Sequence, residues 1–465
     1  MEEVNNKVKP FGWADKLGYM FGDFGNDFTF LLSSTFLMKF YTDVMGVSAY
    51  LVGLMMMLAR IVDAFTDVTM GQICDRSPAT PKGKFLPWIR RMAGPVAVAS
   101  FLCYASWLKD MPMTIKVVWM FFTYLLWGSI CFTGVNIPYG SMASAISENP
   151  KDRTVLSTFR AIGANFAGIF TGVLLPMYVY YKDANGNTIL SGSRMTIAAF
   201  VCSICAIICY IFCYYLTTER VKYEPKEKGE KVNLKEVFSS IVSSRSLIGI
   251  IVVALLFLIA SFTISGMGNY IYPNYFGNKD ALALSTLLGR ITNLIFAAFL
   301  GGVAAKFGKK ELSTFGCFLG AAALFTAYVL HTDNVTVWLI LYLISNVGNS
   351  FFNILCWAMI IDVIDDIEVV KGIRSDGTVY ACYSFARKLG QAGSAGLTGM
   401  LLSFIGYTEA TAFDPAVTNG IYDITCLVPA ITYVLIGLAL VFLFPLNKKR
   451  VEENARIIRE KKENR

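Results

Sequence analysis

Runs of apolar residues separated by short polar turns recur along the chain at 19–45, 48–74, 88–108, 114–145, 155–181 and 195–216. They recur again at 247–276, 282–305, 312–330, 335–364, 379–405 and 421–446. At 1.5 Å per residue, each run is long enough to cross the roughly 30 Å of bilayer hydrocarbon. The pattern predicts an all-α membrane protein with twelve transmembrane helices. The polar stretch 218–246, centred on Glu224-Pro-Lys-Glu-Lys-Gly-Glu-Lys231, has the composition of a cytoplasmic linker. Expected units are therefore an N-terminal six-helix bundle over 1–217, the linker, a second six-helix bundle over 247–446, and a basic tail over 447–465.

The two halves read as copies. Leu58-Ala-Arg-Ile-Val-Asp63 aligns with Leu288-Gly-Arg-Ile-Thr-Asn293, and Gly71 and Gly301 each lie eleven residues beyond the aligned arginine. Six-plus-six repeats joined by a long central loop describe the major-facilitator architecture, in which substrate and ion sites lie near midplane between the halves. Asp63 becomes Asn293 in this alignment and Asp67 becomes Ala297, so ion chemistry is expected in the N-terminal half.

Composition agrees with a membrane protein: 55% of residues are hydrophobic and only 16% are charged. The net charge of +8 does not point to nucleic acid, because placing the N-terminus inside puts most Lys and Arg on the cytoplasmic side. Both termini are expected in the cytoplasm of a cell whose plasma membrane holds the chain. The polar opening with Lys7, Lys9 and Lys16 precedes an apolar run too long for a signal peptide. The basic tail, with Lys448, Lys449 and Arg450, reads as a topology anchor and an anionic-lipid contact. Cys202, Cys205, Cys209 and Cys213 form a helical stripe that reads as small packing residues rather than a zinc site. With His331 as the one histidine, proton chemistry falls to carboxylates.

Arg60, Asp63 and Asp67 sit inside the second apolar run. At about 100° per residue they share one helix face, and charge in lipid normally faces a bundle interior or a water-filled path. Two carboxylates four residues apart repel unless one is protonated or a cation lies between them, so the pair is a candidate for Na⁺ or H⁺. Arg60 neutralising one of them is the structural alternative. Asp27 lies about 15 Å into the first span, near midplane, and suits sugar hydroxyls; Asp23 is nearer the cytoplasm. Arg160 is expected to hold either Asp27 or a substrate oxygen. In Thr133-Gly-Val-Asn-Ile-Pro-Tyr-Gly140, Pro138 cannot donate to the Gly134 carbonyl, which predicts a broken helix where Thr133 and Asn136 add oxygens, with a plain packing kink as the alternative. Asp75, Arg76 and Arg153 are candidate cytoplasmic gate charges. Asp362, Asp365 and Asp366 end the tenth span, while Arg387, Lys388 and Gln391 enter the eleventh. Either these acids and bases pair across the gate, or one cation neutralises an acidic sugar such as a hexuronide.

The segments Gly22-Asp-Phe-Gly-Asn-Asp27, Tyr41-Thr-Asp43, Ala59-Arg-Ile-Val-Asp-Ala-Phe-Thr-Asp67, Asn136-Ile-Pro-Tyr-Gly140, Asp376-Gly-Thr-Val-Tyr380 and Tyr383-Ser-Phe-Ala-Arg-Lys-Leu-Gly-Gln391 resemble the glycoside/pentoside/hexuronide:cation symporters, the melibiose-carrier family. The resemblance covers nearly the whole chain. It implies a cation site of Asp63, Asp67, Thr133 and Asn136, and a sugar site of Asp27, Asn26, Asn136, Arg160 and Gln391. Melibiose carriers have an acid at Asn136 and a Trp at Gly140, so this chain looks more like the branch carrying xylosides, glucuronides and related glycosides. No cofactor is expected beyond the coupling ion, Na⁺ or H⁺. The expected partners are a small sugar or glycoside, a monovalent cation and membrane lipids. Rival readings are a carrier of lysolipid-like amphiphiles, a non-transporting sugar sensor, and an ATP-driven permease; the last lacks a Gly-x4-Gly-Lys-Ser/Thr loop in this chain.

Overall fold

A computed structural model describes residues 9–221, 244–371 and 376–463. Most of the expected linker, and the side chains at the start of the Asp376-Gly-Thr-Val-Tyr380 motif, lie outside the described residues. The long helices are α1 (Trp13–Asp43), α2 (Ala49–Arg76), α3 (Leu86–Leu102), α4 (Met113–Ile146), α5 (Lys151–Val179), α6 (Gly192–Leu216), α7 (Arg245–Tyr275), α8 (Lys279–Phe307), α9 (Lys309–Leu330), α10 (Val335–Lys371), α11 (Asp376–Phe404) and α12 (Pro415–Phe442). A terminal α13 spans Lys448–Glu463. Eight of these, α4 to α10 and α12, are long and apolar enough to cross a membrane. Of the others, α3 has 17 residues, and α1, α2 and α11 carry charged residues of the candidate sites, among them Asp23, Asp63 and Arg387.

The chain divides into two compact units. The first comprises Met1–Ser48, Leu58–Tyr181 and Ile189–Gly229, and the second Ala49–Met57, Lys182–Thr188 and Glu230–Arg465. The opening two turns of α2 thus group with the C-terminal helices.

In the first unit α1 packs on α5 and α6. Glycines let it come close: a Cβ at Gly22 would strike the Tyr139 ring. That ring stacks on Tyr19 at 4.6 Å, and its hydroxyl donates to the Tyr19 carbonyl at 2.8 Å. The end of this unit that holds the start of α3 is tied by charge. Glu219, just past α6, accepts from the backbone N–H groups of Lys84, Phe85 and Leu86 at 2.7, 2.9 and 2.7 Å, satisfying the donors left over where α3 begins. Burial pushes its carboxyl above the usual range, while these three donors and Lys84 pull it back. Gly83, at φ +116°, turns the chain where any Cβ would overlap this carboxylate. Arg220 pairs with buried Asp15 at 2.7 Å.

In the second unit α9 packs on α10 and α12, and α7 on α11 and α12. A Cβ at Gly348 would overlap the Gly316 carbonyl, so α9 and α10 meet nearly backbone to backbone. With 37 residues, α10 is about 55 Å long. That exceeds the hydrocarbon, and its last turns receive α13.

Candidate ion and substrate site

Asp63 and Asp67 project from one face of α2 toward α4, both inside the first unit. The Ser129 hydroxyl donates to Asp63 Oδ1 at 2.6 Å, and the Thr133 hydroxyl lies 2.7 Å from Asp67 Oδ1. The result is a two-rung ladder: acids four residues apart on one helix face hydroxyls four residues apart on the next. Gly128 lies beside it, where a Cβ would sit in ordinary van der Waals contact, 3.5 Å from the Asp63 carboxylate. Asn136 is half-buried three residues beyond Thr133.

The backbone of α4 explains the register. Residues Leu126–Phe132 are π-helical, with the Thr133 N–H reaching the Gly128 carbonyl five residues back. Such single-turn π segments inside α-helices occur often at functional sites. The break expected at Pro138 is not there: Thr133–Ile146 is continuous α-helix with Pro138 inside it. The irregularity lies about two to three turns upstream, where no proline announces it. Ser129 and Gly128 were therefore missed in the sequence, although Ser129 repeats the four-residue spacing of the two acids.

Arg60 donates to Asp63 Oδ2 at 3.3 Å and lies over the Phe30 ring, 5.1 Å from its centroid. The structural alternative for Arg60 thus has a real contact behind it. Arg60 brings one positive charge to two carboxylates, so these three groups together carry −1 when all are ionised. Donor chemistry of two carboxylates and two hydroxyls suits a small hard monovalent cation.

Two substrate-site expectations need correction. Arg160 Nε donates to Asp23 Oδ1 at 2.9 Å rather than to Asp27. Its guanidinium lies 5.5 Å from the Tyr139 ring centroid and is 45% exposed, against 8% for Asp23. The partner is thus the acid one helical turn before Asp27 on α1. Asn26 is buried in the core of the first unit, accepting from the Tyr210 hydroxyl of α6 at 2.9 Å, with no partner for its amide nitrogen among the described residues. A turn of about 100° separates it from half-buried Asp27, so neighbours in sequence face different ways. Gln391 is half-buried on α11, in the second unit.

The expected gate pairings also change. Asp362 is held by Lys309 of α9 at 2.7 Å. Asp366 accepts from Ser246, from Arg450 and from Asn454, the last two on α13. Both acids lie in the last turns of α10, at the level of the α8–α9 turn and the tail, whereas Arg387 lies eleven residues inside α11. Arg387 sits instead over Trp357 and Tyr383, with Lys388 half-buried beside it. In the first unit Asp75 and Arg76 are exposed, the Asp75 carbonyl accepts from Lys84 Nζ, and Arg153 Nε donates to the Ser147 carbonyl as a loop staple.

Known proteins resemble this chain over nearly its whole length. "Uncharacterized symporter YjmB" of Bacillus subtilis (strain 168) is 30% identical, covering 98% of each chain. "Glucuronide carrier protein homolog" of Escherichia coli (strain K12) is 29% identical over 96% of this chain and 95% of that one. In fold, the chain is similar to the crystal structure of a bacterial homologue of the human lysosomal transporter Spinster, with TM-score 0.68, 13% identity, and coverage of 94% and 97%. Residues 18–448 match the family model described as "MFS/sugar transport protein", and the chain belongs to that family, among its glycoside/hexuronide symporters.

Proposed function

We propose that this protein is a cation-coupled sugar symporter of the plasma membrane, with all twelve long helices α1–α12 spanning the bilayer and both termini in the cytoplasm. Its cargo on this reading is a xyloside, glucuronide or related glycoside, moved by alternating access. The observation that carries the proposal is the ladder of Asp63–Ser129 and Asp67–Thr133. Two membrane-embedded carboxylates with one nearby guanidinium form a site that Na⁺ or H⁺ completes electrically. In this role Asp63 and Asp67 take the ion, Thr133 and Asn136 add neutral oxygens, and Asp27, Arg160, Asn136 and Gln391 hold sugar hydroxyls. The basic helix α13 lies against anionic lipid.

Coupling is reciprocal: whatever factor the cation adds to sugar affinity, sugar adds to cation affinity. The test is uptake of a radiolabelled glycoside panel in vesicles under separately imposed Na⁺ and pH gradients. Accumulation driven by one of them is expected. Uptake that ignores both gradients for every sugar would end this reading.

A further inference from the structure

Arg60 is underused for a buried guanidinium. Its side chain is 11% exposed, and among the described residues its one hydrogen bond is the 3.3 Å contact to Asp63 Oδ2. The group carries five N–H donors in a rigid fork, so most of them are left without an acceptor. Acceptors stand nearby unused. The hydroxyls of Ser33 on α1 and Tyr124 on α4 are both buried and find no hydrogen-bond partner among the described residues. Tyr124 lies beside Ser33 and within electrostatic range of Arg60 and Asp63. Burying a hydroxyl unpaired is costly, and folded proteins keep few such groups. Two of them next to a guanidinium with spare donors therefore call for an occupant.

Aromatic rings enclose the space, all of them within the first unit. Arg60 lies over Phe30, Phe30 stacks on Phe132 at 5.8 Å, Phe132 meets Trp127 at 5.5 Å, and Trp127 meets Tyr124 at 5.4 Å between centroids. Two polar destinations adjoin the guanidinium: the Asp63 carboxylate, and the Ser33 and Tyr124 hydroxyls. Asp63 offers Oδ1 to Ser129 and Oδ2 to Arg60. A coupling cation that binds this carboxylate therefore meets the guanidinium at the same oxygens. Two unit positive charges about 4 Å apart, at an effective dielectric of 20, repel enough to disfavour joint occupancy about a thousandfold. One of them has to step aside, and Arg60 has a place to go.

We infer that Ser33 and Tyr124 form a second seat for Arg60, onto which its guanidinium moves when a cation takes Asp63, so that the two hydroxyls set how tightly the ion is held. The inference rests on the symporter reading above. Arg60 is then a tethered competitor for the coupling ion. Ser33 and Tyr124 are positioning residues that act on the ion through it, each accepting from a charged donor, which makes a stronger bond than a neutral one does.

The test makes two measurements on the full-length protein. One is the half-saturating concentration of Na⁺ and of H⁺, varied separately, for uptake of the radiolabelled glycoside panel into proteoliposomes. The other is Tm in Na⁺-free detergent buffer. Tyr124→Phe is expected to raise the half-saturating concentration of the coupling ion about tenfold or more, with kcat and sugar KM at saturating ion unchanged. Its Na⁺-free Tm should match or exceed that of the wild type, because the substitution removes a hydroxyl without a partner. Ser33→Ala is expected to act in the same direction and less strongly. Wild-type half-saturation in both variants overturns the inference and leaves symport standing. A Na⁺-free Tm several degrees lower in Tyr124→Phe means that the hydroxyl serves the fold instead, and overturns it too. Wild-type uptake that responds to neither ion removes the symporter reading and this inference together.

Discussion

Replacing Asp63 by Asn tests the charge argument with little change of shape. The amide oxygen can still accept from Ser129, which keeps the 2.6 Å contact between α2 and α4, while the amide nitrogen at the other position cannot accept from Arg60. What changes is the charge of Arg60, Asp63 and Asp67 together, from −1 to 0. A cation with its centre about 4 Å from the carboxylate charge loses roughly 4 kcal/mol of attraction at an effective dielectric of 20, which is about a thousandfold in ion affinity. The assay is sugar uptake against cation concentration, paired with sugar binding to the purified protein in detergent. Asp63→Asn is expected to lose cation-stimulated uptake across the accessible range. Its sugar dissociation constant should equal that of the wild type measured without coupling ion, since linkage removes only the cation's contribution. Cation stimulation at the wild-type level would refute the assignment. So would complete loss of sugar binding, which would mean that the carboxylate holds the sugar or the fold.

Thr133→Val keeps the volume and removes one hydroxyl rung; cation half-saturation should rise about tenfold with sugar binding in the absence of ion unchanged, and an unchanged half-saturation would exclude Thr133 as a ligand. Glu219→Ala strips the acceptor from three α3 N–H groups and is expected to cost about 1–3 kcal/mol, read as a fall in Tm in detergent; an unaltered Tm would show that water replaces it without penalty. Asp366→Ala removes the shared acceptor of Arg450 and Asn454, so protease cleavage within α13 should accelerate, whereas wild-type cleavage kinetics would mean that apolar packing alone docks the helix.

What the sequence disclosed follows from which physical rule governed each residue. The shared face of Arg60, Asp63 and Asp67 needed only the helical period, and α2 is regular there. The facing hydroxyls were half hidden: Thr133 was found beside Pro138, but Ser129 depends on a π segment that carries no proline. Arg160 was given to Asp27 and meets Asp23, because depth counted along a helix is uncertain by about one turn, and one turn is the separation of those two acids. For Asp362 and Asp366 the gate expectation is corrected for a different reason. It joined Asp362 and Asp366 to Arg387 and Lys388 as neighbours along the chain, although a charge at the end of α10 and one eleven residues into α11 lie at different depths. Matching by depth instead selects Lys309 in the α8–α9 turn and Arg450 in the tail, both visible in the sequence. The same depth rule sets Arg387, which lies over Trp357 and Tyr383, apart from Asp362 and Asp366 at the end of α10.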